Sequence, residues 1–206
     1  MKTVEFGKQH NDVIMLLHGG GLSWWNYKAE AELLKNQYHV VLPILDGHAG
    51  SDNDFISIEK NASRLISCID KEFGGSVLLI GGLSLGAQIL VEMLTQRSSI
   101  CQNAVIESAS VIPSKLTNAL IKPMFSLSYG LVKKKYFAQM QFDYLHIRKD
   151  LFEDYYRDTS QISKENMIAF LEANTSYEIK PGLQEAHAKV HILVGEKEQK
   201  KMICSA

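Results

Sequence analysis

The feature that most restricts the fold of this chain is an alternation. Short runs that are apolar at nearly every position are separated by stretches of helical periodicity. Residues 13–17, 39–42, 77–80, 104–107 and 190–194 each read as a strand. A strand with one wet face alternates apolar and polar side chains, whereas a continuously apolar one needs cover on both faces. The pattern predicts an α/β fold, a mostly parallel sheet with helices on both faces. A weaker strand at 3–6 followed by the polar turn 7–12 predicts a hairpin, antiparallel to 13–17, at one edge. Ile58, Ala62, Leu65, Ile66, Ile69 and Phe73 recur at helical spacing, with Ser57 as cap and Gly74-Gly75 as terminator. A second helix is predicted over 87–96.

Residues 111–182 break this rhythm. They hold no strand-like run, three of the four prolines, and many aromatics, among them Phe125, Tyr129, Phe142, Tyr155 and Phe170. About 70 residues is too long for a bare connection, so this region predicts a helical insertion over the carboxyl edge of the sheet. Helical patches are expected near 115–127, 151–158 and 164–173. The domain reading is a core of 1–110 with 183–206, and an insertion of 111–182.

Composition excludes several classes. A net charge of -1 supplies no field for nucleic acid or anionic lipid. The run Lys133-Lys134-Lys135 reads as a solvated helix face. No stretch approaches the length of a spanning helix, and the first apolar run is too short for a secretory signal. Three scattered cysteines, Cys68, Cys101 and Cys204, make neither a disulfide framework nor a metal cluster. A cytoplasmic protein with reduced thiols, binding neither membrane nor nucleic acid, is expected.

The chemistry concentrates at Gly82-Leu83-Ser84-Leu85-Gly86, between a predicted strand and a predicted helix. A serine there stands on a tight turn that exposes its hydroxyl, and Gly82 and Gly86 remove side chains that would clash. The helix amino terminus behind it favours developing negative charge. Upstream, His18-Gly19-Gly20-Gly21 follows the strand 13–17. Its backbone N–H groups, with that of Leu85, suit an oxyanion hole, and Gly20 is the expected donor in this loop. His18 reads as a brace for the loop. Asp46-Gly47-His48-Ala49-Gly50-Ser51 is a turn-forming loop that supports the site, with Asp46 and His48 in supporting roles. No metal or organic cofactor is implied, because no ligand cluster or phosphate-binding glycine loop is present.

From about residue 3 to 108 these pieces and their order resemble the α/β-hydrolase family. The resemblance implies that 111–182 is the family's cap or lid and that 190–194 presents the triad acid. Gly195-Glu196-Lys197-Glu198 places Glu198 there, where aspartate is the more common residue. It implies a chain order of nucleophile, acid, then histidine after one more helix and strand. Eight residues follow Glu198, with helical character over 199–206, so the last helix, the last strand and the catalytic histidine are expected to be missing. None of the seven histidines occupies the expected place. Loss of the base costs a serine hydrolase about 10⁶ in kcat, so this chain alone is expected to be a poor enzyme. Strand 190–194 is expected to be an exposed edge that invites self-association. The resulting expectation is a serine hydrolase of an ester or related acyl bond in a small molecule. The alternatives are a lyase or carbon–carbon hydrolase on the same scaffold, and a non-catalytic binding module.

Overall fold

The computed structural model describes residues 1–196, 198 and 200–205. Six strands form one sheet: β1 (Thr3–Phe6), β2 (Val13–Leu17), β3 (His39–Pro43), β4 (Val77–Leu83), β5 (Cys101–Glu107) and β6 (Lys189–Leu193). Their order across the sheet is β1-β3-β2-β4-β5-β6, with β1 antiparallel to β3 and the other pairs parallel. The helices are α1 (Lys28–Leu34), α2 (Ile58–Glu72), α3 (Leu85–Gln96), α4 (Lys115–Val132), α5 (Lys135–Tyr144), α6 (Phe152–Thr159), α7 (Lys164–Ser176) and α8 (Lys200–Ser205). This is the mostly parallel α/β arrangement that the apolar runs predict. Among the described residues no helix is long and apolar enough to cross a membrane.

The expected hairpin of β1 with β2 does not form. β1 pairs instead with β3, in the register Thr3↔Pro43 and Phe6↔Val40. Four of the five β2 residues are buried, so β2 needs strand neighbours on both sides and takes β3 and β4. β1 is only half-buried throughout, which suits an edge. Gly7 makes the detour possible, because it adopts a left-handed φ of 64° and packs against the carbonyls of Lys35 and Tyr38. A side chain at that position would collide with both.

Local signals place the helices. The Ser57 hydroxyl accepts from the Lys60 N–H at 3.1 Å and caps α2, whose apolar face is buried. Ser163 caps α7 in the same way. Nearly all of α3 is buried, since it runs behind the sheet and against α2. The Lys133-Lys134-Lys135 run is exposed, but it is the junction between α4 and α5 rather than a helix face. Gln199 and Ala206 of the expected terminal helical stretch lie outside the described residues.

Helices α4–α7 all fall between β5 and β6. Buried polar contacts fasten this segment to the sheet layer. The Gln88 side chain on α3 donates to the carbonyls of Ser110 and Asn174, and its oxygen accepts from the Asn174 amide at 2.9 Å. Trp25, fully buried, donates its indole N–H to Asp158 Oδ2 at 2.8 Å. Thr159 Oγ1 donates to the Gly21 carbonyl at 3.0 Å. The insertion is thus tied to the glycine loop that follows β2.

Candidate active site

Ser84 is the junction of β4 and α3. Its φ of 51° and ψ of -110° lie outside the ordinary region for an L residue. The turn is held by the Ser84 N–H, which donates to the Glu107 carbonyl at 2.9 Å, and by the Ser84 carbonyl, which accepts from the Gln88 N–H at 3.0 Å. The glycines on either side are required by contact. A Cβ on Gly82 would lie 2.5 Å from the Gly86 carbonyl oxygen, and one on Gly86 would lie 2.2 Å from the Leu17 carbonyl oxygen. Strand end, strained serine and helix start are therefore packed backbone against backbone. Leu85, the first residue of α3, is fully buried.

Ser84 opens on a cavity of about 470 Å³. Gly19 and Gly20 line it from the β2 loop, and Ser108 and Glu198 line it from the ends of β5 and β6. Leu22, Leu83, Leu145, Ile147 and Leu151 give it apolar walls. The sequence expectation for Ser84, Gly19, Gly20 and Glu198 was a single site, and the fold brings all four to one cavity.

His18 and His48 are buried and fully engaged. His18 Nδ1 is 2.9 Å from the Gly19 carbonyl and its Nε2 accepts from the Leu45 N–H at 3.2 Å. His48 Nδ1 is 3.1 Å from the Asp46 carbonyl and its Nε2 accepts from the Gly21 N–H at 3.0 Å. These partners require Nδ1–H tautomers on neutral rings. Burial, with a smaller repulsion from His48, lowers the His18 pKa to about 3 against the opposing hydrogen bond to Gly19. Burial lowers that of His48 to about 4, opposed by backbone hydrogen bonds at Asp46 and Leu45. The two rings meet edge to face at 4.9 Å, and His48 stacks on Phe170 at 4.7 Å. Neither has a nitrogen left for Ser84. They hold the 19–21 loop between β2, the 46–51 loop and α7.

Asp46 anchors the second loop. Its side chain pairs with Arg64 and its N–H donates to Asn61 Oδ1 at 3.0 Å. Burial raises its pKa, and the Arg64 guanidinium counters part of that rise.

Ser108, which lines the cavity, carries no motif in the sequence. Ser108 takes a left-handed φ of 50°, donates its N–H to the Leu193 carbonyl at 2.9 Å, and donates its hydroxyl to Glu198 Oε1 at 3.0 Å. The neighbouring Glu107 carboxyl is raised by burial and then by the charges of Glu30 and Glu198. The only signal for either was a position at the carboxyl end of a strand, where open α/β sheets gather their sites. Among the described residues no histidine nitrogen bonds to the Ser84 hydroxyl, and no group of three His, Cys, Asp or Glu is placed to hold a metal ion.

The profile of the alpha/beta hydrolase family matches residues 14–196. The chain belongs to that family. Among solved structures, a thermophilic esterase from Thermogutta terrifontis superposes with a TM-score of 0.79 at 15% identity, covering 100% of this chain and 79% of that one. An esterase from Exiguobacterium antarcticum gives 0.76 at 15% identity, covering 96% and 77%. The enol-lactonase from Burkholderia xenovorans gives 0.72 at 13% identity, covering 93% and 87%. At these identities the hydrolase structures share the fold. No curated protein matches the sequence.

Proposed function

We propose that this alpha/beta hydrolase cleaves an ester or related acyl bond of a small molecule, with Ser84 as nucleophile. The observation that carries the reading is the strained Ser84 turn opening on a cavity lined by Gly19, Gly20 and Glu198. Ser84 Oγ attacks the carbonyl carbon. The N–H groups of Gly20 and Leu85 receive the negative oxygen, where pre-oriented donors contribute most. Glu198, fixed through Ser108, holds the position of the acid that orients a catalytic histidine in a Ser-His-acid triad. The apolar walls favour an uncharged acyl or alkoxy group, and helices α4–α7 act as the cap that closes over it. No cofactor enters this mechanism, and the setting is expected to be cytoplasmic. Esterase and lactonase neighbours in fold agree with acyl chemistry.

A second reading, a binding module on a hydrolase fold, draws on the lack of a histidine bonded to Ser84 among the described residues. Two assays separate them: labelling by a fluorophosphonate probe, and hydrolysis of short-chain nitrophenyl esters. The hydrolase reading expects Ser84-dependent labelling and at least weak ester turnover in the native chain, and neither in Ser84→Ala. Absence of labelling, with ester turnover at the level of buffer, would favour the binding module. Labelling without turnover of any simple ester would instead favour a lyase or carbon–carbon hydrolase on this scaffold.

A further inference from the structure

Helix α4 carries apolar side chains on two opposite faces. One face packs inward: Ile121 and Val132 are buried, Phe125 and Tyr129 lie against the main core, and Asn118 donates to the Glu172 carbonyl on α7 at 2.7 Å. Those five positions repeat at the spacing of one helix face. Leu116, Leu120, Met124, Leu127 and Leu131 repeat at the same spacing half a turn away, and they are 76%, 48%, 59%, 92% and 48% exposed. A helix on a water-facing surface normally turns polar groups outward on that side. Single exposed leucines carry no message, but a contiguous outward row marks a contact surface. α5 continues the pattern with Tyr136, Met140 and Tyr144, spaced by four residues and each more than half exposed.

The charge beside this row is of one sign. Residues 108–142 contain five lysines and no aspartate or glutamate. The net charge of -1 therefore averages over a basic segment and an acidic remainder. Lys115 and Lys122 stand seven residues apart along one flank of the α4 row, and Lys133 and Lys134 follow at its end, all exposed. Among the described residues none of these four pairs with a carboxylate, whereas Lys135 pairs with Glu153 at 2.7 Å. An outward apolar row with an uncompensated basic flank suits a helix lying in a bilayer interface, where the lysine stems let their ammonium groups reach back to the headgroups. Among the described residues no helix is long and apolar enough to cross a membrane, so α4 fits a position along the surface. A second copy on this face would, by two-fold symmetry, set the same lysines against each other.

We propose that α4 and α5 form a docking face for an anionic lipid surface. The leucine row enters the boundary between headgroups and acyl chains, and the lysines meet the negative headgroups. Leu145, the residue after α5, lines the Ser84 cavity, so docking sets that cavity beside the lipid.

The test is flotation of the 206-residue chain with vesicles of phosphatidylcholine containing about 30% phosphatidylserine, beside vesicles of phosphatidylcholine alone. The chain should float with the first and not with the second, and about 0.5 M sodium chloride should release it. Lys115→Gln combined with Lys122→Gln should weaken partition by about 25-fold, near fivefold for each lysine. Leu116→Gln combined with Leu127→Gln changes two side chains too exposed to support the fold, and should weaken partition at least about 10-fold with an unchanged circular dichroism spectrum. Failure to float with the anionic vesicles overturns the proposal, as does equal binding to both vesicle types or full binding by the leucine variant. A native dimer without vesicles that the leucine variant dissociates gives the face to a second copy, and overturns it as well.

Discussion

Replacing Gly86 by alanine tests the packing that creates the Ser84 turn. The new Cβ would stand 2.2 Å from the Leu17 carbonyl oxygen and 2.7 Å from that of His18. Carbon–oxygen contacts settle near about 3.3 Å, so α3 must withdraw from β2 by about 1 Å. Both partners are backbone, and no rotamer change relieves the clash. Leu85, Ala87, Ile89 and Leu90 are fully buried on α3, so withdrawal opens gaps along the whole helix. Gaps of that width forfeit about a quarter to a half of each dispersion contact. The expected cost lies at the top of the overpacking range, about 3 kcal/mol. With a urea dependence of about 2 kcal/mol per molar, the unfolding midpoint falls by about 1.5 M. Gly130→Ala provides the control of opposite sign, because its Cβ would meet nothing within 4 Å inside α4. Helix propensity then favours alanine by about 0.8 kcal/mol and raises the midpoint by about 0.4 M. Urea titration followed by circular dichroism measures both. A Gly86→Ala midpoint equal to that of the native chain would refute the close approach on which the strained serine depends.

Acid should weaken the fold through its two buried histidines. Their folded pKa values, about 3 and about 4, lie below the ordinary 6.5, so the unfolded chain binds more protons as pH falls below 6.5. Stability is full above pH 6.5 and declines toward pH 4 by up to about 1.4 kcal/mol per pH unit for each histidine. Denaturation at a series of pH values checks this, and His48→Gln should have a shallower slope. A flat profile between pH 6.5 and 4 would show that neither ring is held neutral. β6, which has no strand neighbour beyond β5 among the described residues and exposes Val190, Ile192 and Leu193 by 41%, 51% and 52%, is expected to drive association between copies. Light scattering should detect a concentration-dependent dimer that Ile192→Lys abolishes, whereas a native monomer at every concentration would remove that expectation.

What was legible in the sequence was what local chemistry decides. The apolar runs located β2 and β3 because burial on both faces leaves no other pattern, and Ser57 marked the start of α2 through its own hydrogen bond. Gly82 and Gly86 signalled the turn because no other residue fits there. Pairing of β1 depended on the surroundings of distant β3, which its own four residues do not encode. α5 escaped notice because its few buried positions, Ala138 and Phe142, leave a weak apolar stripe. The bond from Ser108 to Glu198 joins residues 90 positions apart, and only the pairing of β5 with β6 brings them together.

The central claim is that Ser84 is an activated nucleophile. Peptide mass spectrometry after reaction with a fluorophosphonate tests it most directly, by locating the covalent adduct on the chain. A phosphonyl mass is expected on the peptide that contains Ser84, at close to one equivalent, and none in heat-unfolded protein. Adduct at another residue, or an unmodified Ser84 after prolonged exposure, would contradict it.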